Sequence, residues 1–240
     1  MTGGPPEVTL RVRRSEPGVT KQRWESFGVP LADRTTVLDA LFWIMRERDR
    51  SLAFRCACRA AMCGSCAMVV NGDERLACKT GLAGLATPIR VEPLRSLPVV
   101  KDLVVDMDAF FDRYQAVEPV VRTDERLAEP AIISPLDPTR LEIGAGLDCI
   151  SCGACYSACP MVAADPDYLG PAALLRAFNV LADQRESPGP APAREAVFGR
   201  HGIWRCHGIQ ECTRVCPKAL DPALAIRRLK RRARSGEFGS

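Results

Sequence analysis

Residues 7 to 14 (Glu-Val-Thr-Leu-Arg-Val-Arg-Arg) alternate apolar and polar positions, which predicts a strand with one buried face. A second strand is expected over Gln22 to Val29. Val37, Leu38, Leu41, Phe42, Ile44 and Met45 then recur at helical spacing, so a helix is predicted through Asp49, capped by Thr35 or Thr36. Ala67 to Val70 and Glu74 to Ala77 flank Asn71-Gly72, a strong hairpin signal. Pro88 to Leu94 reads as another strand, followed by Val99 to Asp106, and Met107 to Ala116 as a helix.

From residue 117 to 138 the pattern breaks, with Pro119, Pro130, Pro135 and Pro138 among mixed charges. Beyond it the periodicity is helical. Residues 172 to 184 carry Leu174, Leu175, Phe178, Val180 and Leu181, residues 187 to 192 (Ser-Pro-Gly-Pro-Ala-Pro) form a turn-rich break, and Pro222 opens a last helix to Arg234. The expected class is α+β: a strand-rich domain over 1–117, a linker over 118–138 and an all-α domain over 139–240. A chain of 240 residues can hold two modest cores.

Composition narrows the function. Apolar residues make up 47% and charged residues 26%, values of an ordinary globular protein. A formal charge of +4, with no basic run interleaved with aromatics, argues against nucleic acid as a partner. No apolar run approaches the ~18 residues of a membrane span. Met1 to Arg14 lacks an apolar signal core, and Glu7 argues against a transit peptide. Twelve cysteines are therefore expected as reduced, metal-bound thiols in a cytosolic compartment, not as disulfides.

Their spacing names the metal. Cys58-x4-Cys63-x2-Cys66, with Cys78 twelve positions on, is the plant-type [2Fe–2S] spacing. Gly64 lets backbone N–H groups approach the sulfides, and the hairpin carries Cys78 back to the cluster. Strand, strand, helix and cysteine loop is the order of a β-grasp ferredoxin. Cys56 is left over: it is either an alternative first ligand or a small buried hydrophobe, and the four-residue spacer favours Cys58.

The second half carries Cys149-x2-Cys152-x2-Cys155-x3-Cys159-Pro160, the run of a two-cluster bacterial ferredoxin, whose fourth cysteine ligates the other cluster. Cys206, Cys212 and Cys216-Pro217 repeat that register, with Ile209 where the second cysteine belongs. The crossover rule assigns Cys149, Cys152, Cys155 and Cys216 to a [4Fe–4S] cluster. Cys159, Cys206 and Cys212 remain: three thiolates, which suit a [3Fe–4S] cluster. Losing an anionic ligand and being buried are expected to make this cluster the readier electron acceptor.

These residues resemble the iron–sulfur subunit of succinate dehydrogenase or fumarate reductase, respiratory complex II, over nearly the whole chain. The phrases Cys63-Gly-Ser-Cys66-Ala-Met, Leu169-Gly-Pro-Ala-Ala173 and Arg205-Cys-His207 stand in family order. The resemblance implies a flavoprotein partner holding FAD, one or more membrane anchor subunits and a quinone acceptor. It implies single electrons passing from [2Fe–2S] to [4Fe–4S] to [3Fe–4S], with succinate chemistry in the partner and no catalytic acid, base or nucleophile here. It places the chain peripherally on the cytoplasmic face of a bacterial inner membrane. Pro160, His207 and Ile209 match positions that line the family's quinone site. His207 is either a proton donor to reduced quinone or a packed, hydrogen-bonded histidine.

Two departures stand out. Ubiquinone-using relatives carry tryptophan shortly after the Cys-Pro, whereas this chain has Met161-Val162-Ala163-Ala164, which leans toward menaquinone. Relatives often have Arg-Glu-Gly after the first [2Fe–2S] ligand, and here the residues are Arg59-Ala60-Ala61. Arg227, Arg228, Lys230, Arg231, Arg232 and Arg234 make the last helix basic, either as a solvated face or as an attraction for anionic lipid or a partner's loops. The rival functions are fumarate reduction by the same kind of complex, an electron-transfer subunit of a different reductase, and a structural zinc protein.

Overall fold

The computed structural model describes residues 6–19, 21–32, 34–123, 132–187 and 192–236. Most of the expected linker's centre, much of the turn-rich break after Ser187 and nearly all of the final Gly-Glu-Phe-Gly-Ser lie outside the described residues. The chain divides into two compact units, one of residues 1–107 with 150–158 and one of 108–149 with 159–240.

In the first unit β1 (Glu7–Arg14) pairs antiparallel with β2 (Arg23–Pro30). Val8, Leu10 and Val12 point inward, as the alternation predicts. α1 (Val37–Glu47) buries Val37, Leu38, Leu41 and Ile44. Thr36 is its cap: the Thr36 hydroxyl accepts from the Asp39 N–H while the Asp39 carboxylate accepts from the Thr36 N–H. Thr35 instead closes the preceding turn on the Ala32 carbonyl.

β3 (Ala67–Val70) and β4 (Asp73–Leu76) form the hairpin, with Asn71 and Gly72 both at positive φ, the geometry a two-residue turn requires. β5 (Ile89–Glu92) inserts parallel to β1 and antiparallel to β3, giving the sheet order β2-β1-β5-β3-β4. This mixed sheet, covered by α1, is the β-grasp arrangement. The stretch 99–106 is two short strands, β6 (Val99–Lys101) and β7 (Val104–Val105). The chain reverses at Asp102, which has φ of 49°. Its buried carboxylate is held there by the N–H groups of Ser15 and Ala53 and by Arg14. The polar anchor overrides the local β-propensity.

The helices continue with α2 (Asp108–Ala116) and α3 (Pro138–Gly144), both in the second unit. α4 (Ala154–Ser157) lies in the segment grouped with the sheet. Within that first unit the Ser157 hydroxyl donates to the buried Glu74 carboxylate at 2.9 Å and accepts from the Arg95 N–H at 2.7 Å. α5 (Pro160–Ala164), α6 (Gly170–Leu181), α7 (Pro192–Phe198), α8 (Glu211–Arg214) and α9 (Pro222–Arg234) complete the second unit. α6 is buried nearly all round and packs on α9 through a core that includes Leu174, Phe178, Ile226 and Leu229. α6 starts two residues earlier than the periodicity suggests, because Pro171 suits a first turn.

The basic residues of α9 are divided in role. Arg228 and Arg232 pair with Glu142 and lie over the Phe178 ring, Lys230 donates to the Cys206 carbonyl at 2.7 Å, and Arg234 lies over Trp204. Arg227 and Arg231 are exposed. Among the described residues no helix is long and apolar enough to cross a membrane.

Candidate metal centres

The loop between α1 and β3 turns its backbone donors toward sulfur. Cys58 Sγ accepts from the N–H groups of Ala60 (3.4 Å), Met62 (3.3 Å) and Cys63 (3.3 Å), and the Cys58 N–H lies 3.5 Å from Cys63 Sγ. Arg59, Ala61 and Gly64 all have positive φ, which curls the chain round those sulfurs. Ala61 stands where relatives often have glycine, and it takes the left-handed conformation at a cost of about 1–2 kcal/mol. Arg59 is held against Asp39 and over the Phe42 ring.

The β3–β4 hairpin places the other two thiols side by side. The Ala77 N–H donates to the Cys66 carbonyl at 3.0 Å, so Cys66 and Cys78 lie at the hairpin's open end, and both are buried. The Cys63 thiol is pulled down to about 6 by the Cys58 N–H and the Ser65 hydroxyl. Burial, together with neighbouring Cys78, pushes the Cys66 thiol up to about 12. Convergent N–H groups around thiolate-forming sulfurs fit an anionic [2Fe–2S] cluster, whose charge those dipoles offset. Cys56 is half-buried and packs against the apolar core.

Gly64 is also constrained by a neighbouring segment. Within the first unit its Cα faces Cys152, and a β-carbon there would stand 2.7 Å from the Cys152 β-carbon. The two cysteine motifs thus meet backbone to backbone. Cys152 and Cys155 belong to this unit, while Cys149 and Cys216 belong to the other. Ser151 and Gly153, at positive φ, turn the chain into α4.

In the second unit Cys159, Cys206 and Cys212 line one recess of about 340 Å³, with Pro160, Tyr168, His207 and Ile209 also on its wall. Cys159 immediately precedes α5, Cys206 follows a 3-10 turn over Ile203–Arg205, and Cys212 lies in α8. Burial raises the Cys159 thiol and pushes Cys212 up to about 11, with the neighbouring thiols adding to the effect. Three sulfurs facing one recess, two of them made hard to ionise by burial, fit an iron–sulfur cluster that supplies the positive charge. Pro160, His207 and Ile209 are exposed, Ile209 at 53%. No disulfide joins any of the twelve cysteines.

Two residues beside this recess escaped the sequence reading. Lys230 counted only as one of several basic residues on α9, yet its ammonium reaches the Cys206 carbonyl. Tyr168 lies at the end of the turn before Leu169-Gly170-Pro171, is 1% exposed and lines the recess with the three cysteines. Its one signal was adjacency to that phrase.

Residues 9–112 match the family described as 2Fe-2S iron-sulfur cluster binding domain, and residues 146–220 match the 4Fe-4S dicluster domain. The chain is 40% identical over 227 residues to the fumarate reductase iron-sulfur subunit of Mycobacterium tuberculosis, covering 93% of this chain and 91% of that one. It is 37% identical over 215 residues to the mitochondrial succinate dehydrogenase [ubiquinone] iron-sulfur subunit 1 of Oryza sativa, covering 88% of this chain and 76% of that one. Among solved structures, a chain of the Mycobacterium smegmatis Sdh1 complex in the apo form shares the fold, with a TM-score of 0.87, 23% identity and 98% of each chain covered. With its cysteine loop, its second-unit recess and these relatives, the chain belongs to the family of fumarate reductase and succinate dehydrogenase iron–sulfur subunits.

Proposed function

We propose that the chain is the electron-transfer subunit of a succinate:quinone oxidoreductase, joined to a flavoprotein and held by anchor subunits at the cytoplasmic face of a membrane. When bound, its clusters supply one-electron carriage, [2Fe–2S] to [4Fe–4S] to [3Fe–4S], from the FAD of the flavoprotein to quinone. The proposed ligands are Cys58, Cys63, Cys66 and Cys78 for the first, Cys149, Cys152, Cys155 and Cys216 for the second, and Cys159, Cys206 and Cys212 for the third.

The observation that carries this reading is the recess where Cys159, Cys206 and Cys212 meet and Ile209 stands at the wall. An apolar side chain there offers no ligand atom, so three protein sulfurs are what the recess provides. Pro160, His207 and Ile209 are exposed on the same recess, which supports their placement beside a quinone. The missing tryptophan after Pro160 supports menaquinone, whose site would lack an indole donor.

Fumarate reduction is the second reading, favoured by the fumarate reductase relatives from Mycobacterium tuberculosis and Haemophilus influenzae, at 40% and 36% identity. Purification of the complex from native membrane, with iron and acid-labile sulfide analysis and EPR, tests the assignment. Three distinct cluster signals and a copurifying flavoprotein are expected, with succinate oxidation and fumarate reduction assayed side by side. Zinc in place of iron would overturn it.

A further inference from the structure

Glu74 is a buried carboxylate to which cluster ligation gives no role. It stands on β4 with its side chain 1% exposed, in the same compact unit as α4. Glu74 Oε1 accepts from the Ser157 hydroxyl at 2.9 Å, and the Arg95 guanidinium lies 3.4 Å from the same oxygen. Ser157 Oγ accepts in turn from the Arg95 N–H at 2.7 Å, so the single hydroxyl proton is committed to the carboxylate. Glu74 Oε2 has no hydrogen-bond partner among the described residues.

The two charges of this pair stand in different surroundings. The Arg95 guanidinium is anchored on the Gly72 carbonyl at 2.9 Å and its side chain is 50% exposed, so water and salt screen the cation. The carboxylate is closed off from water, and a charge in a low-dielectric interior is felt further. Its hydroxyl partner leads straight to a proposed cluster ligand. Ser157 and Cys155 share the single turn of α4, which sets their Cα atoms about 5–6 Å apart.

We infer that the buried Glu74 carboxylate, held against α4 by Ser157, lowers the reduction potential of the cluster assigned to Cys149, Cys152, Cys155 and Cys216. This rests on the ligand assignment proposed above. One-electron reduction adds a negative charge at that cluster with no bond made or broken, and a buried anion nearby opposes it. Arg95 offsets part of the effect from the solvent side. Glu74 acts through its charge and touches no substrate.

The test is an EPR-monitored redox titration of the purified complex, comparing the native protein with Glu74→Gln, which removes the charge and keeps an oxygen acceptor for Ser157. The expected result is up to a tenfold shift of the [4Fe–4S] equilibrium toward its reduced form, about 59 mV higher for a one-electron couple. An intact cluster with an unmoved or lowered potential overturns the inference. Arg95→Gln, titrated alongside, is expected to lower the same potential. Opposite shifts are the signature of charge, whereas loosening of the hairpin by either variant would move both the same way, and a shared direction overturns the inference. If Glu74→Gln fails to assemble, Arg95→Gln decides: a lowered potential supports the inference and an unmoved or raised one overturns it. Absence of any [4Fe–4S] signal from the native complex would instead defeat the ligand assignment, a separate result.

Discussion

Gly64 and Cys152 leave no room between them: a β-carbon on Gly64 would lie 2.7 Å from the Cys152 β-carbon and 3.0 Å from the Ile150 carbonyl oxygen. Gly64 also has φ of 72°, so a side chain there is disfavoured twice. Gly64→Ala is expected to cost about 2–4 kcal/mol, combining left-handed strain with overpacking. Its check is a lower temperature for loss of visible cluster absorbance, with the [2Fe–2S] and [4Fe–4S] signals both perturbed because the two motifs touch.

Cys58 and Cys56 make opposite predictions. Three N–H groups converge on Cys58 Sγ, whereas Cys56 packs against the apolar core. Cys58→Ser is expected to diminish or abolish the [2Fe–2S] EPR signal. Cys56→Ser is expected to retain it, with only a modest loss of stability.

Ile209→Cys places a fourth sulfur on the recess that Cys159, Cys206 and Cys212 share. Incorporation of a fourth iron is expected, with loss or weakening of the oxidised [3Fe–4S] signal. Quantitative EPR alongside iron analysis reads the conversion, and an unaltered signal would remove Ile209 from the open corner.

Arg14 is 1% exposed and pairs with Asp102, itself wholly buried, and with Glu25 and Asp49. Arg14→Met leaves the Asp102 charge buried without its cation and is expected to cost about 3–5 kcal/mol. Thermal or denaturant unfolding of the assembled protein measures it.

The same network predicts acid sensitivity. The Ser51 hydroxyl, and then Arg14, lower the Asp49 carboxyl from 3.8 to about 2. Its folded value lies below its unfolded value, so this contribution is complete above about pH 4 and fades as pH falls through about 2. In Arg14→Met that part of the acid transition is expected to move to higher pH.

Much of the fold was legible because its signals are local. Alternation placed β1 and β2, Asn71-Gly72 placed the hairpin, and Pro222 opened α9 at the predicted residue. The reversal within 99–106 was not legible, because Asp102 is held there by Ser15, Ala53 and Arg14, all remote in sequence. Short helices such as α5 and α8 hold too few residues to show a period.

For the metal centres, cysteine spacing by itself determined the candidate ligands, because a cluster accepts few spacings and each leaves its trace in the order of residues. Tertiary structure alone decided what surrounds them: the contact of Gly64 with Cys152, Lys230 on the Cys206 carbonyl, and Tyr168 buried on the wall of the three-cysteine recess. Ligand spacing is a property of the chain over a few residues. The neighbours of a ligand come from segments tens of residues away, and only packing and hydrogen bonding bring them there.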